Sequence, residues 1–207
     1  MKLLILGATG ATGKQVMDQA LKTGHEITAY VRNPQKLEKY NGKIEIINGE
    51  LQDIQKLSDT IKGKDAVISA LGYRKLWDKS LFVSKAIDIV LKAMSSNGVK
   101  KLVYQSASGI GGNHSVKNPI LRAVLKTFGV ANPFIDHNTT ESLIKHSNVN
   151  WTIIRPGMLT YVTLKEKYRS GENLKRVFLI SRADVAHCML KALTNENWSN
   201  KSIDISY

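Results

Sequence analysis

Met1-Lys-Leu-Leu-Ile-Leu-Gly-Ala-Thr-Gly-Ala-Thr-Gly-Lys14 is the stretch from which the rest of the chain can be read. Leu3 to Leu6 form a short unbroken apolar run, which suits a strand buried on both faces of a parallel sheet. Gly7, Gly10 and Gly13 follow at three-residue spacing, and a helical pattern begins after them. Gly7 lets the chain bend sharply as it leaves the strand. Gly10 leaves room for a pyrophosphate against the backbone, and Gly13 lets the new helix lie close to the sheet. The helix then offers free N–H groups and the positive end of its dipole to phosphates, with Thr9, Ala11 and Thr12 in the same turn. The G-x-x-G-x-x-G spacing differs from the commoner G-x-G-x-x-G fingerprint, but the same mechanics apply. A ligand-free turn would account for neither Gly10 nor Thr9 and Thr12. The stretch reads as a nucleotide site.

Outward from this turn, Val16, Met17, Ala20 and Leu21 recur at helical spacing, and Thr23-Gly24 ends the helix. Glu26 to Val31 reads as a second strand, with Asn33 as a cap and Pro34 opening a helix behind it. Further strands are expected at Ile44–Ile47, Asp65–Leu71, Lys101–Gln105 and Val149–Ile154. Helices carry Ile54, Leu57 and Ile61, then Val83, Ile87, Val90, Leu91 and Met94 in a stretch from about Lys79 to Ser96. The glycine-rich stretch Ser106 to Asn118 reads as a loop, followed by one or two helices. A strand-like piece at Val177–Ile180, a helix at Arg182–Leu193 and a last strand near Ile203 complete the pattern. Strands alternating with helices at this pace predict an α/β fold: a Rossmann-like, doubly wound parallel sheet with right-handed crossovers. A small C-terminal substrate-side segment, about residues 157–180, is expected within one domain spanning residues 1–207.

The chain has 207 residues, enough for one α/β domain with a sizeable core. Its single cysteine, Cys188, rules out an internal disulfide and fits a reducing compartment. The apolar run Leu3–Leu6 is too short for a signal peptide, and no stretch approaches a membrane span. The expected location is the cytoplasm. The charge is unusual, with 30 Lys and Arg against 17 Asp and Glu, a formal +13. These cations are spread over several helices rather than gathered with aromatics. They favour an anionic nucleotide and a basic surface over nucleic acid as the main partner.

Arg32 stands at the end of the second strand, where an NAD site places Asp or Glu against the ribose hydroxyls. An arginine cannot accept those hydrogen bonds, but it can clasp a 2′-phosphate in a two-pronged, charge-assisted contact. Lys36, one turn on, adds a second cation. The expected cofactor is therefore NADP(H). Glu50-Leu51 and Ala70-Leu71-Gly72 follow the third and fourth strands, where open α/β sheets collect ligands. For Leu51 a plain turn role is an equal alternative. The five histidines and one cysteine show no metal-ligand spacing, and there is no G-x-S-x-G elbow.

The motifs Gly7-Ala-Thr-Gly-Ala-Thr-Gly13, Tyr30-Val-Arg-Asn33, Lys101-Leu-Val-Tyr-Gln-Ser-Ala107, Trp151-Thr-Ile-Ile-Arg-Pro-Gly157 and Ile180-Ser-Arg-Ala-Asp-Val-Ala186 together resemble the atypical short-chain dehydrogenase/reductase superfamily. Its NAD(P)H-binding branch, with biliverdin-IXβ reductase (a flavin reductase) and the NmrA-like proteins, is the most similar. The resemblance implies that Ser106, with Ser108 near it, and Pro156, Gly157 and Met158 flank the nicotinamide. It also places His137, with Glu141 one turn along, in the region of the substrate pocket, as a possible relay or a surface residue. The Tyr-x-x-x-Lys pair of standard members does not occur between Ser106 and Asn150, and Tyr161-Val-Thr-Leu-Lys165 matches it only by spacing. Without that tyrosine, alcohol–ketone chemistry loses its proton donor. The expected function is NADPH-dependent hydride transfer to a planar acceptor such as a flavin, with Ser106 and His137 as catalytic candidates. A non-catalytic NADP(H) sensor is the alternative. The expected partners are small molecules, the expected state a monomer or homodimer.

Overall fold

Leu3–Leu6 do become a buried strand, near the middle of an eight-stranded sheet. The computed structural model describes residues 1–73, 81–109 and 131–207. The predicted helix start at Lys79–Ser80 and the later part of the Ser106–Asn118 loop fall outside these.

The chain runs β1 (Lys2–Leu6), α1 (Ala11–Lys22), β2 (Glu26–Val31), a 3-10 turn (Pro34–Tyr40), β3 (Glu45–Asn48), α2 (Ile54–Ile61), β4 (Ala66–Ser69), α3 (Phe82–Ser96), β5 (Lys101–Gln105), α4 (Ala131–Lys145) and β6 (Asn150–Pro156). It continues as β7 (Met158–Thr160), β8 (Arg169–Gly171), β9 (Leu179–Ser181), α5 (Arg182–Lys191), a short 3-10 turn (Glu196–Trp198) and β10 (Lys201–Ser206). The main sheet has the order β3-β2-β1-β4-β5-β6-β10-β8, and β7 pairs with β9 in a separate ribbon. Every neighbour in the main sheet is parallel except β8, which runs antiparallel to β10. This is the Rossmann-like α/β fold. The chain turns back on itself between β1 and β4, and the crevice at that reversal is where such sheets hold ligands.

The alternation of Leu3 and Ile5 with Leu4 and Leu6 divides the core. The first pair packs with Val16, Met17, Val185 and Met189 of α1 and α5. The second packs with Leu57, Val83, Ile87, Val90 and Met94 of α2 and α3. Each fully buried aliphatic side chain of this kind contributes about 1.5–3 kcal/mol. Ile54, read as part of the α2 stripe, is instead exposed, because it is the first helical residue and points away from the sheet.

Helix ends follow local chemistry in some places and distant chemistry in others. Asp53 caps α2 by accepting from Lys56 N at 3.1 Å. Ser181 caps α5, its Oγ accepting from Asp184 N at 2.9 Å and donating to Asp184 Oδ2 at 2.6 Å. Asn33 makes no side-chain cap, and the segment after Pro34 is 3-10 rather than α. The N-terminus of α3 is closed from α4, where buried Asp136 accepts from Val83 N at 2.8 Å and Ser84 N at 3.1 Å. Among the described residues no helix is long and apolar enough to cross a membrane.

Candidate functional site

The glycine turn is built as its spacing implies. Gly7 has φ +75°, and a Cβ there would lie 2.5 Å from the Ala70 carbonyl oxygen. A Cβ on Gly13 would lie 2.2 Å from the Gly7 carbonyl oxygen, so only glycine lets α1 start this close to β1. Gly10 N–H donates to Gly7 O at 2.9 Å, closing the turn. Gly10 is also the N-cap of α1 and supplies no capping side chain, so the first-turn N–H groups are left to a ligand.

A cavity of about 560 Å³ opens in front of this turn. Its floor is Gly7, Thr9, Gly10, Ala11 and Thr12. Arg32 and Lys36 stand at the β2 end, with Leu51 beside them and Ala70, Leu71 and Gly72 across the crevice. Eleven expected residues therefore meet in one space. The Arg32 guanidinium lies 5.8 Å from the centre of the Phe82 ring and has no carboxylate partner among the described residues. Gly13 sits behind the turn, and Glu50 contributes its carbonyl, which accepts from the Tyr30 hydroxyl at 2.9 Å.

Phe82, beside Arg32, and Tyr73, Gln105 and Arg182 toward the other end also line the cavity, and sequence reading passed over all four. Arg182, first in α5, donates to the carbonyls of Leu159 and Thr160 at 3.3 Å each. Its guanidinium also stacks 4.1 Å from the Tyr161 ring centre. Lys165 lies instead over the Tyr207 ring, so Tyr161 and Lys165 have separate partners. The i, i+4 match between them is spacing alone.

Ser106 lies beneath this end, not in it. The residue is 3% exposed, and its hydroxyl donates to Glu141 Oε1 at 2.8 Å. Glu141 also accepts from Arg155 Nε at 2.9 Å, from Arg155 Nη2, and from Lys145 at 3.1 Å. The backbone of this loop is tied to β6: Ser106 N–H donates to Ile154 O and Ser108 N–H to Pro156 O, both at 2.8 Å. Gly157 packs against the Phe178 carbonyl, where a Cβ would come within 2.4 Å, and Met158 is largely exposed.

His137 is drawn into the same polar layer. Its Nδ1 lies 2.6 Å from the hydroxyl of fully buried Tyr104, and its ring stands edge-on to Tyr73, 6.4 Å between centres. Tyr73 in turn donates to Asp136. Burial lowers the His137 pKa, against the opposing charges of Asp136 and Glu141. Burial also pushes the Tyr104 hydroxyl well above its ordinary value. Both rings are therefore neutral near pH 7. Cys188 takes no part; burial pushes its thiol up to about 12.

A doubly wound sheet with a glycine-rich strand-to-helix turn, an uncapped helix N-terminus and an arginine at the second strand defines a nicotinamide-dinucleotide-binding protein. Residues 7–196 match the NAD(P)H-binding family, and the chain belongs to it. An uncharacterised chloroplastic protein of Arabidopsis thaliana is 30% identical over 99% of this chain and 76% of its own length. An uncharacterised sugar epimerase of Bacillus subtilis is 28% identical over 100% of this chain and 94% of its own. Among solved structures, the anaerobilin reductase ChuY of Escherichia coli O157:H7 superposes with a TM-score of 0.83 at 16% identity, covering 100% of this chain and 97% of that one. A short-chain dehydrogenase/reductase of Veillonella parvula in complex with NADP gives 0.82 at 18% identity, covering 100% and 94%. At these identities the superpositions show the fold. The fold is oxidoreductase-like, as expected from the sequence motifs.

Proposed function

We propose that the chain is an NADPH-dependent reductase that delivers a hydride to a planar acceptor such as a flavin. The observation that carries this reading is the single cavity running from the uncapped N-terminus of α1, past Arg32, to Tyr73 and Gln105 at the ends of β4 and β5. In this reading the N–H groups of Ala11 and Thr12 bind the pyrophosphate. Arg32 and Lys36 take the 2′-phosphate, and Leu51, Ala70, Leu71 and Gly72 wall the adenosine. The bound nicotinamide supplies the hydride. Pro156, Gly157 and Met158 border the acceptor side, and Ser106 acts through Glu141 and its backbone to fix that wall.

His137 does not line the cavity but stands edge-on behind Tyr73, which does. In this reading the Tyr104 hydroxyl, 2.6 Å from the His137 Nδ1, is assigned as the donor, which leaves the ring hydrogen on Nε2. A neutral imidazole held this way donates a hydrogen bond to an acceptor heteroatom rather than a proton. The proton that completes reduction then comes from water.

The Ser106 hydroxyl, locked on Glu141, favours a second reading, a non-catalytic NADP(H) sensor, because that hydroxyl is not free for chemistry. Steady-state oxidation of NADPH with FMN, a quinone or biliverdin separates the two. Turnover supports the reductase. Tight NADP(H) binding with none of these acceptors reduced supports the sensor.

A further inference from the structure

Gln105 is the last residue of β5 and lines the cavity at the end farthest from Arg32. Its Oε1 is shielded from solvent and has no hydrogen-bond partner. Such an oxygen is costly to leave unpaired, and the residue that carries it borders the cavity, so a turn of its amide about the last torsion would offer the oxygen to a ligand. The other polar side chains at this end are already engaged. Tyr73 donates to Asp136, Arg182 holds the Leu159 and Thr160 carbonyls, and Ser106 is buried against Glu141. Among these described residues, Gln105 alone carries an acceptor without a partner.

We propose that Gln105 is the residue that recognises the carboxamide of the nicotinamide ring, a positioning role for the cofactor. The chemistry is matched. A primary amide carries an acceptor oxygen and N–H donors in one plane, so two primary amides can pair reciprocally. The Gln105 oxygen accepts a carboxamide N–H, and its own N–H₂ answers the carboxamide oxygen. Arginine can serve only the carboxamide oxygen, because guanidinium has no acceptor. The placement also agrees with the sheet order. Arg32 follows β2 and Gln105 ends β5, so the two residues bracket β1 and β4, across which an extended dinucleotide lies. Fixing the carboxamide fixes the ring plane, and with it the face that meets the acceptor.

The inference rests on the NAD(P)H reading, and one binding experiment tests each separately. Dissociation constants are measured by calorimetry for NADP⁺ and for its acetylpyridine analogue, in which a methyl group replaces the amide nitrogen. Wild type is expected to prefer the amide form by roughly three- to tenfold, the worth of one neutral hydrogen bond. Gln105→Leu is expected to bind both forms alike. Gln105→Met, which keeps the length of the side chain, should lose the preference too and so separates recognition from packing. If either variant keeps the wild-type preference, or wild type has none, the assignment of Gln105 is overturned while the cofactor reading stands. Failure of wild type to bind NADP⁺ at all would overturn the cofactor reading itself.

Discussion

Replacing Glu141 with Gln probes the buried layer that holds the acceptor wall. Glu141 is 1% exposed and collects Ser106 Oγ, two nitrogens of Arg155 and Lys145 Nζ. Arg155 is itself 6% exposed, and two of its nitrogens donate to this carboxylate. Glutamine keeps one acceptor oxygen but turns an N–H₂ toward the guanidinium, placing donor against donor. Removing one partner of a buried ion pair costs about 3–5 kcal/mol. The contact with Lys145 adds little, since that side chain is one-third exposed and screened. For a chain of this length the loss corresponds to a fall in Tm of roughly 6–20 °C. Urea unfolding followed by circular dichroism measures it. The paired substitution Glu141→Leu with Arg155→Met should recover most of the stability, because apolar replacement of a whole buried pair is close to neutral. A Glu141→Gln variant within about 1 kcal/mol of wild type would refute the claim that this pair braces the site.

Three further outcomes are expected. Arg32→Asp should weaken NADPH by roughly tenfold or more, the worth of a charged hydrogen bond, while NADH changes far less; equal losses in titration calorimetry would remove Arg32 from the 2′-phosphate site. Gly13→Ala should cost about 1–3 kcal/mol and abolish cofactor protection in a thermal melt, since its Cβ would meet the Gly7 carbonyl at 2.2 Å; a variant that still gains wild-type protection from NADP⁺ would contradict the tight turn. His137 is held neutral below its ordinary value of 6.5, so the unfolded chain binds the extra proton, and the stability this contributes is full above 6.5 and lost as pH falls toward the folded value. His137→Gln should therefore flatten the fall in unfolding free energy between pH 6.5 and more acidic values, and an unchanged slope would show that the ring is already charged.

Much of the fold was legible because its signals are local. An apolar run followed by glycines at fixed spacing can bury a strand and start a helix in few ways, and Gly7 and Gly13 sit in the contacts that spacing implies. The phosphate end of the cavity was legible for the same reason, since strand ends after β1, β2 and β4 converge at the reversal of the sheet. The far end was not. Asp136 caps a helix more than fifty residues earlier, and Glu141 joins Ser106 to Arg155 from a different element. Such pairings follow from packing rather than from spacing. Gln105 and Ser106 are adjacent, and period-two alternation sends one into the cavity and the other beneath it. Which of the two faces the cavity depends on register against β4 and β6, information absent from the local pattern. Strand β8 was also missed, because Arg169-Ser-Gly171 is short and polar and pairs only through the edge of β10.

The most direct measurement is the oxidation of NADPH by the purified chain with excess FMN, followed by the loss of its near-ultraviolet absorbance, with NADH run alongside. Turnover is expected to prefer NADPH and to lose that preference in Arg32→Asp. Tight binding of NADPH with no acceptor reduced would contradict the reductase and leave the sensor; indifference between NADPH and NADH would contradict the site itself.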